Sequence, residues 1–123
     1  MTAARHQRGL TAHQSGQMAE EGVLRHYQGR GATLLASRWR GRAGEIDLIV
    51  REGEDVVFVE VKSAPTPAEA ALRLGQPQMR RILRAACEYC GTQGWGDVPM
   101  RFDAALVDGM GRIDLILNAF GEF

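Results

Sequence analysis

Two neighbouring apolar runs, Gly44-Glu45-Ile46-Asp47-Leu48-Ile49-Val50 and Val56-Val57-Phe58-Val59-Glu60-Val61-Lys62, constrain this chain more than any other stretch. Both have β-strand composition, yet together they carry three acids and a lysine, grouped away from the break between them. Acids are depleted in strands. Residues two apart on a strand share a face, so Glu60 and Lys62 point the same way. A packed sheet has little use for such a group, whereas a metal-dependent active site does.

The break Arg51-Glu52-Gly53-Glu54-Asp55 reads as a tight hairpin turn. Centring the turn between Gly53 and Glu54 sets Asp47 across from Glu60 and Glu45 across from Lys62. Ile49 then faces Phe58, Ile46 faces Val61, Leu48 faces Val59 and Val50 faces Val57. One face of the hairpin becomes wholly aliphatic, and a slip of one residue would mix the two faces. Cβ atoms of cross-strand neighbours stand about 5 Å apart. Two carboxylates at that range repel by roughly 3 kcal/mol at an effective dielectric near 20, and by much less in water. A divalent cation between them turns the repulsion into ligation, because hard ions take carboxylate oxygens. The competing reading is a solvated hairpin end dressed with surface ion pairs, which contribute little.

With 123 residues, 45% hydrophobic and 24% charged, the chain is expected to form one globular domain with a real core. Fifteen basic side chains balance 15 acidic ones. Any basic surface must therefore be local: arginines gather at 38–42 and 80–84, and acids at 45–60. No apolar run reaches the roughly 18 residues of a membrane span. The opening residues lack the apolar segment of a secretory signal, so a cytoplasmic location without membrane association is expected. Cys87 and Cys90 form a C-x-x-C inside a helical pattern with no second ligand pair, which suits two small helix residues better than a metal or redox site.

Residues 1–14 read as a loose N-terminal arm and 15–123 as the domain. A first helix spans 15–29, capped by Ser15 or Gly16 and ended by Gly29 or Gly31. Its stripe of Ala19, Val23, Leu24 and Tyr27 shares a side with Glu20, an acid that is costly there unless paired or functional. Thr33–Ala36 reads as a strand. The segment Arg38-Trp39-Arg40-Gly41-Arg42 follows it as a basic stretch suited to a phosphate backbone or a stacked base, or equally to solvent. After the hairpin, Pro67–Leu72 makes a short helical turn. A second helix runs from about Pro77 to Cys90, stopped by Gly91, with Met79, Ile82, Leu83, Ala86 and Cys90 as its core stripe. Arg80, Arg84 and Glu88 point outward, while Gln78 and Arg81 flank the stripe and could border a site. Strands over 101–107 and 112–117 complete an order α-β-β-β-α-β-β. The fold class is α/β, a mixed sheet of about five strands flanked by helices. Neither G-x-G-x-x-G nor a P-loop occurs, which counts against a nucleotide-binding enzyme.

A helix acid, then Asp in one strand and Glu-x-Lys in the next, resembles the PD-(D/E)xK, or restriction-endonuclease-like, nuclease superfamily. More closely, residues 16–123 resemble the YraN-like family of small uncharacterised bacterial proteins. The resemblance is carried by Gly44–Ile49, Val57–Lys62, Arg101-Phe102-Asp103 and Asn118-Ala119-Phe120. It implies a nuclease-like core in which Glu20 is the helix acid, Asp47 the strand acid, and Glu60 and Lys62 the Glu-x-Lys pair. The family usually has glycine where this chain has Ala19, a basic residue where it has Ala64, and often lysine where it has Gln78.

The implied activity is a metal-dependent endonuclease, or junction-resolvase-like phosphodiesterase, acting on DNA rather than RNA. Asp47 and Glu60, with the Val61 carbonyl, would hold Mg²⁺ or Mn²⁺. Lys62 would orient a water or stabilise the phosphate, and Glu20 would bind through water or accept from Lys62. Glu45 would hold the direction of Lys62, with Gln78 as a further auxiliary. Arg38, Arg40, Arg42 and Arg81 are the expected nucleic-acid contacts. The alternative is a non-catalytic nucleic-acid-binding module on the same fold. Cutting both strands of a duplex needs two sites, which a homodimer would supply.

Overall fold

The computed structural model describes residues 12–73 and 76–119, apart from the side chains of 12–15, 67 and 76–78. Most of the expected arm, residues 1–11, and Phe120 therefore lie outside the described residues, as does the side chain of Gln78. In chain order the elements are α1 (Ala12–Gly29), β1 (Thr33–Arg40), β2 (Glu45–Glu52), β3 (Asp55–Ser63), α2 (Pro67–Leu72), α3 (Gln76–Thr92), β4 (Met100–Val107) and β5 (Ile113–Ile116). The strands form one sheet in the order β1-β2-β3-β4-β5. Only β3 and β4 run parallel. A parallel pair needs a long crossover, and the segment carrying α2 and α3 supplies it. This is the expected α/β architecture, consistent with a restriction-endonuclease-like fold.

α1 begins earlier than Ser15 and ends where glycine permits. The Ala32 N–H bonds the Tyr27 carbonyl, the Gly31 N–H bonds the Gln28 carbonyl, and Gly31 has φ +94°. That pattern is a Schellman cap with its left-handed residue at Gly31. The β2–β3 register agrees with the expected hairpin: Leu48 pairs with Val59, Ile49 with Phe58, Val50 with Val57 and Glu52 with Asp55, around Gly53 at φ +63°.

The central strands are covered on both faces, which explains their nearly unbroken apolar sequence. On one face α1 lays Val23 and Tyr27 on Leu48, Val50, Val57 and Val59. On the other, α3 packs Ile82, Ala86 and Tyr89 on Ile49, Phe58 and Phe102. Phe58 stacks on Phe102 with centroids 5.4 Å apart, and Tyr89 meets Trp39 edge-on at 5.4 Å. The α3 stripe includes Ala85 and Tyr89 beyond the expected set, and the helix runs through Gly91 to Thr92. Cys87 is exposed and Cys90 buried, both as free thiols.

Strict alternation fails at one place, and it is the place that matters. Ile46 lies in the α3-side core with Ile49, not with Leu48 and Val50 on the α1 side. The hairpin face expected to be wholly aliphatic is therefore broken at Asp47. β1 is distorted at the same level: Ser37 pairs with Leu48 and Trp39 with Ile46, and between them Arg38 has φ +50°. A positive φ is uncommon for arginine and marks a local distortion. Arg38 and Arg40 thus lie in a strand, not in a loop following one. An exposed edge strand tolerates charges that a central strand does not.

Candidate metal and phosphate site

Asp47, Glu60 and Lys62 meet where β2 and β3 part. The regular pairing ends at Leu48 and Val59. One step further the side chain of Asp47 takes over, its Oδ2 accepting the Val61 N–H at 2.8 Å. Burial, and then the negative charge of Glu60, push the Asp47 carboxyl up to about 7, against the opposing pull of the Val61 N–H and Lys62. Glu60 is 6% exposed. Its Oε1 stands 3.2 Å from Lys62 Nζ. A strand pair has thus gathered two carboxylates and an ammonium at its open end, in a partly dry setting where their interactions are stronger than in water.

Glu20 approaches from α1. Arg38 Nε donates to its Oε1 at 2.8 Å, so its partner is Arg38 and not the expected Lys62. Burial raises its pKa, the Arg38 hydrogen bond opposes the shift, and Asp47 and Glu45 add to it. Glu20 therefore shares one electrostatic field with the β2 acids. The distortion at Arg38 is what aims a strand arginine at that helix.

Glu45 does not hold Lys62. It pairs in register with Arg40, whose Nη2 lies 3.0 Å from Glu45 Oε2 on the exposed edge. The two strands have separated by that level, so the position opposite Lys62 no longer brings the side chains together. Arg42 is exposed. Its backbone N–H and that of Ala43 donate to Glu88 at 2.9 and 3.2 Å. Glu88, expected to point outward, instead anchors the β1–β2 loop, and those two hydrogen bonds hold its carboxyl below the usual range. Arg81 closes the same loop from α3. A Cβ on Gly44 would lie 2.7 Å from Arg81 Cδ, and Gly44 has φ +152°. Glycine is required there by both space and backbone.

A second buried acid was not singled out for any role by sequence reasoning. Asp103 is fully buried. It accepts from Tyr27 OH at 2.6 Å, from Arg101 Nε and Nη2 at 3.0 Å each, and from the Asn118 N–H at 2.8 Å. Arg101 also reaches Glu52 at 3.0 Å, which Arg30, just past the end of α1, pairs at the same distance. Every oxygen of Asp103 is satisfied from within the protein, so it holds α1, β4 and the chain after β5 together. An acid in the middle of an apolar strand was its one sequence signal, the same signal that marks Asp47.

The sequence profile of the Uncharacterised protein family UPF0102 matches residues 19–107. That span contains Glu20, Asp47, Glu60 and Lys62. The chain belongs to this family, the YraN family. A UPF0102 protein of Ruegeria pomeroyi is 53% identical over 116 residues, 94% of each chain. One from Cereibacter sphaeroides is 50% identical over 113 residues, 91% of this chain and 97% of its own. One from Roseobacter denitrificans is 43% identical over 122 residues, 98% of this chain and 95% of its own.

The donor set of this UPF0102 protein fits a hard divalent ion. Asp47 and Glu60 present carboxylate oxygens side by side; burial and then the repulsion between them raise the Asp47 pKa, and a cation would relieve the repulsion. Among the described residues no third His, Cys, Asp or Glu joins them in a metal-ligating group. A site with two carboxylates suits Mg²⁺, which usually keeps several waters and takes few protein ligands. Ala64 is buried with Ala70 and Leu106, a setting for a small side chain. No helix among the described residues is long and apolar enough to cross a membrane.

Proposed function

We propose that this UPF0102 protein is a metal-dependent phosphodiesterase acting on DNA, in the manner of a junction-resolving endonuclease. One observation carries the reading. Asp47 and Glu60 stand together at the parted end of β2 and β3, with the Asp47 pKa driven up to about 7 and Lys62 Nζ 3.2 Å from Glu60. Structural ion pairs do not need a second, repelling acid, and perturbed groups of this kind cluster at functional sites.

Asp47 and Glu60 would hold Mg²⁺ or Mn²⁺, with the Val61 carbonyl as a further oxygen donor. Such an ion polarises a phosphate and lowers the pKa of a bound water. The Asp47–Val61 hydrogen bond fixes the direction of the Asp47 carboxylate and leaves its other oxygen for the ion. The Lys62 ammonium offsets charge that grows on a phosphate oxygen. Glu20, held by Arg38, sets the negative field on the helix side and accepts a hydrogen bond from an ordered water. Arg40, Arg42 and Arg81 rim the β1–β2 loop as contacts for a phosphate backbone. Cutting both strands of a duplex would use two copies of the chain.

The test is a cleavage panel over single-stranded, duplex and branched DNA in Mg²⁺ and Mn²⁺, with Asp47→Ala and Lys62→Ala beside the parent. Cleavage by the parent and none by a folded Asp47→Ala supports the reading. Equal cleavage by both sinks it.

A second reading has an observation of its own. Glu60 and Glu20 are already ion-paired, by Lys62 and Arg38. A site that neutralises its own acids suits a nucleic-acid-binding module without turnover. Salt-dependent DNA binding with no cleavage in either metal would favour it.

A further inference from the structure

A cleft of about 670 Å³ opens at the carboxyl ends of β3 and β4, between α1, α2 and the β4–β5 turn. Its wall begins at Ser63, the residue directly after Lys62. In open α/β sheets, ligands favour the crevice beyond the carboxyl ends of the strands. The volume falls in the range of small-ligand sites, room for about one or two nucleotides.

The sequence builds this cleft from one face of α1. Met18, Gly22 and Arg25 recur at the spacing that stacks side chains on one helix face. Gly22 leaves the space between them open: a Cβ there would meet only Ile113 Cδ1 at 3.7 Å and Arg25 Nη2 at 3.8 Å. Arg73 stands across the cleft, its Nη1 donating to the Ser63 carbonyl at 2.6 Å. Met18 and Met110 line it while 59% and 88% exposed.

Charge decides what fits. Among the described residues neither Arg25 nor Arg73 has an acidic partner. The one acid lining the cleft, Asp108, is engaged by the N–H groups of Met110 and Arg112, both at 2.9 Å. Two cations with no ion-pair partner, against one carboxylate held by backbone N–H groups, leave the cleft net positive, and beside polarizable thioethers they match a phosphate diester and the base it carries. Arginine suits phosphate oxygens, and exposed methionine adapts to varied apolar surfaces.

We propose that this cleft holds a single-stranded stretch of the nucleic-acid substrate that passes around the carboxyl end of β3 from the bond attacked at Asp47 and Glu60. Arg25 and Arg73 lie on its phosphates, and Met18 and Met110 lie against a base. This deepens the phosphodiesterase reading and rests on it for the identity of the ligand. It also separates the molecule into a metal end and a strand-holding cleft on opposite faces of β3 at its carboxyl end, since Lys62 and Ser63 are consecutive in the regular β3–β4 pairing and so point to opposite sides.

The experiment measures binding without turnover. A fluorescent twelve-nucleotide oligo-dT is titrated with the full chain in EDTA, by anisotropy, across a salt series. Arg25→Ala with Arg73→Ala should weaken binding at least tenfold. It should also flatten the slope of log K against log salt by roughly 1.4, at about 0.7 per phosphate contact on a single strand. Because Arg73 also ties to the backbone, a second pair of variants guards against misfolding. Met110→Lys should tighten binding and Met110→Glu weaken it, at a position whose exposure leaves the fold indifferent. Unchanged affinity and slope in the double variant, with no opposite response at Met110, overturns the cleft. Inorganic phosphate that competes as well as the oligonucleotide would also overturn it, by reducing the site to an anion pocket. Persistent cleavage by Asp47→Ala would remove the phosphodiesterase assignment while leaving these binding outcomes intact.

Discussion

The side chain of Asp47 bonds the backbone N–H of Val61 at 2.8 Å, just beyond the last regular β2–β3 pair at Leu48 and Val59. A carboxylate has replaced a ladder bond. The strands can therefore part without leaving that N–H unsatisfied, and the Asp47 carboxylate and the buried head of Glu60 come together where they do. Fold and candidate chemistry meet in that one contact.

It follows that metal-free protein should lose stability as pH rises. The Asp47 pKa is raised in the folded state, to about 7, by burial and Glu60. A raised acid contributes stability that is complete below its unfolded value and lost as pH climbs through the folded one. Asp47→Asn keeps an acceptor for the Val61 N–H and removes the titration. In EDTA the variant's advantage over the parent should be smallest below about pH 4 and should widen between pH 5 and pH 8, by on the order of 2 kcal/mol. Urea denaturation at the two pH values reads this directly; equal pH slopes for parent and variant would refute it.

Mg²⁺ should offset much of that loss at pH 8. A ligand that binds only the folded state stabilises it by about 2.7 kcal/mol at a hundredfold excess over Kd. The parent should gain a shift of this kind in thermal melts, and Asp47→Asn and Glu60→Gln should gain little. If both variants respond like the parent, the ion binds elsewhere.

Much of this arrangement is legible in the sequence, and the rest is hidden for definable reasons. The hairpin register follows from a period of two with Gly53 at the turn, because any slip would bury charge. Glu20 is visible because an acid on the packing side of a helix needs a reason. The strand character of Arg38 and Arg40 is hidden, since three arginines around Trp39 read as a basic stretch after the strand and only edge exposure lets two of them belong to it. The pairing of Lys62 with Glu60 and not Glu45 is hidden too. Extrapolating the register assumes that the strands stay together, and they part at Asp47. The anchoring of the β1–β2 loop by Glu88 depends on a contact across more than forty residues of sequence (|i−j| of 45 and 46), which no local pattern carries.

The two strand acids should separate cleanly on mutation. Asp103 is fully buried and satisfied by Tyr27, Arg101 and the Asn118 N–H. Asp103→Ala leaves Arg101 with only Glu52 and Asp55, strips the Tyr27 OH and the Asn118 N–H of their acceptor, and should cost about 3–5 kcal/mol, the usual penalty for breaking a buried pair. Tyr27→Phe removes one hydrogen bond to a charged group and should cost about 1.5–3 kcal/mol. Neither should alter the Mg²⁺-induced stabilisation of whatever folded protein remains. A selective loss of the metal response in Tyr27→Phe would tie Asp103 to the site after all.

Gly44 offers the sharpest test of how the site is positioned. It immediately precedes Glu45 and leads into Asp47, and Arg81 of α3 lies across it, with Cδ 2.7 Å from where a Cβ would stand. Gly44→Ala therefore meets two obstacles, the side chain of Arg81 and a backbone at φ +152°. Arg81→Ala removes the first and leaves the second. The single Gly44→Ala change should destabilise by about 1–3 kcal/mol, as strained and overpacked sites do. In the double variant part of that loss should return, giving a coupling of at least about 0.5 kcal/mol in a double-mutant cycle. Denaturant titration of the four proteins measures it. Additive losses would mean that Arg81 moves aside at no cost and that the backbone alone dictates glycine. A measurable coupling would mean that α3 clamps the entry to β2, so that a contact remote from both carboxylates fixes where Asp47 stands.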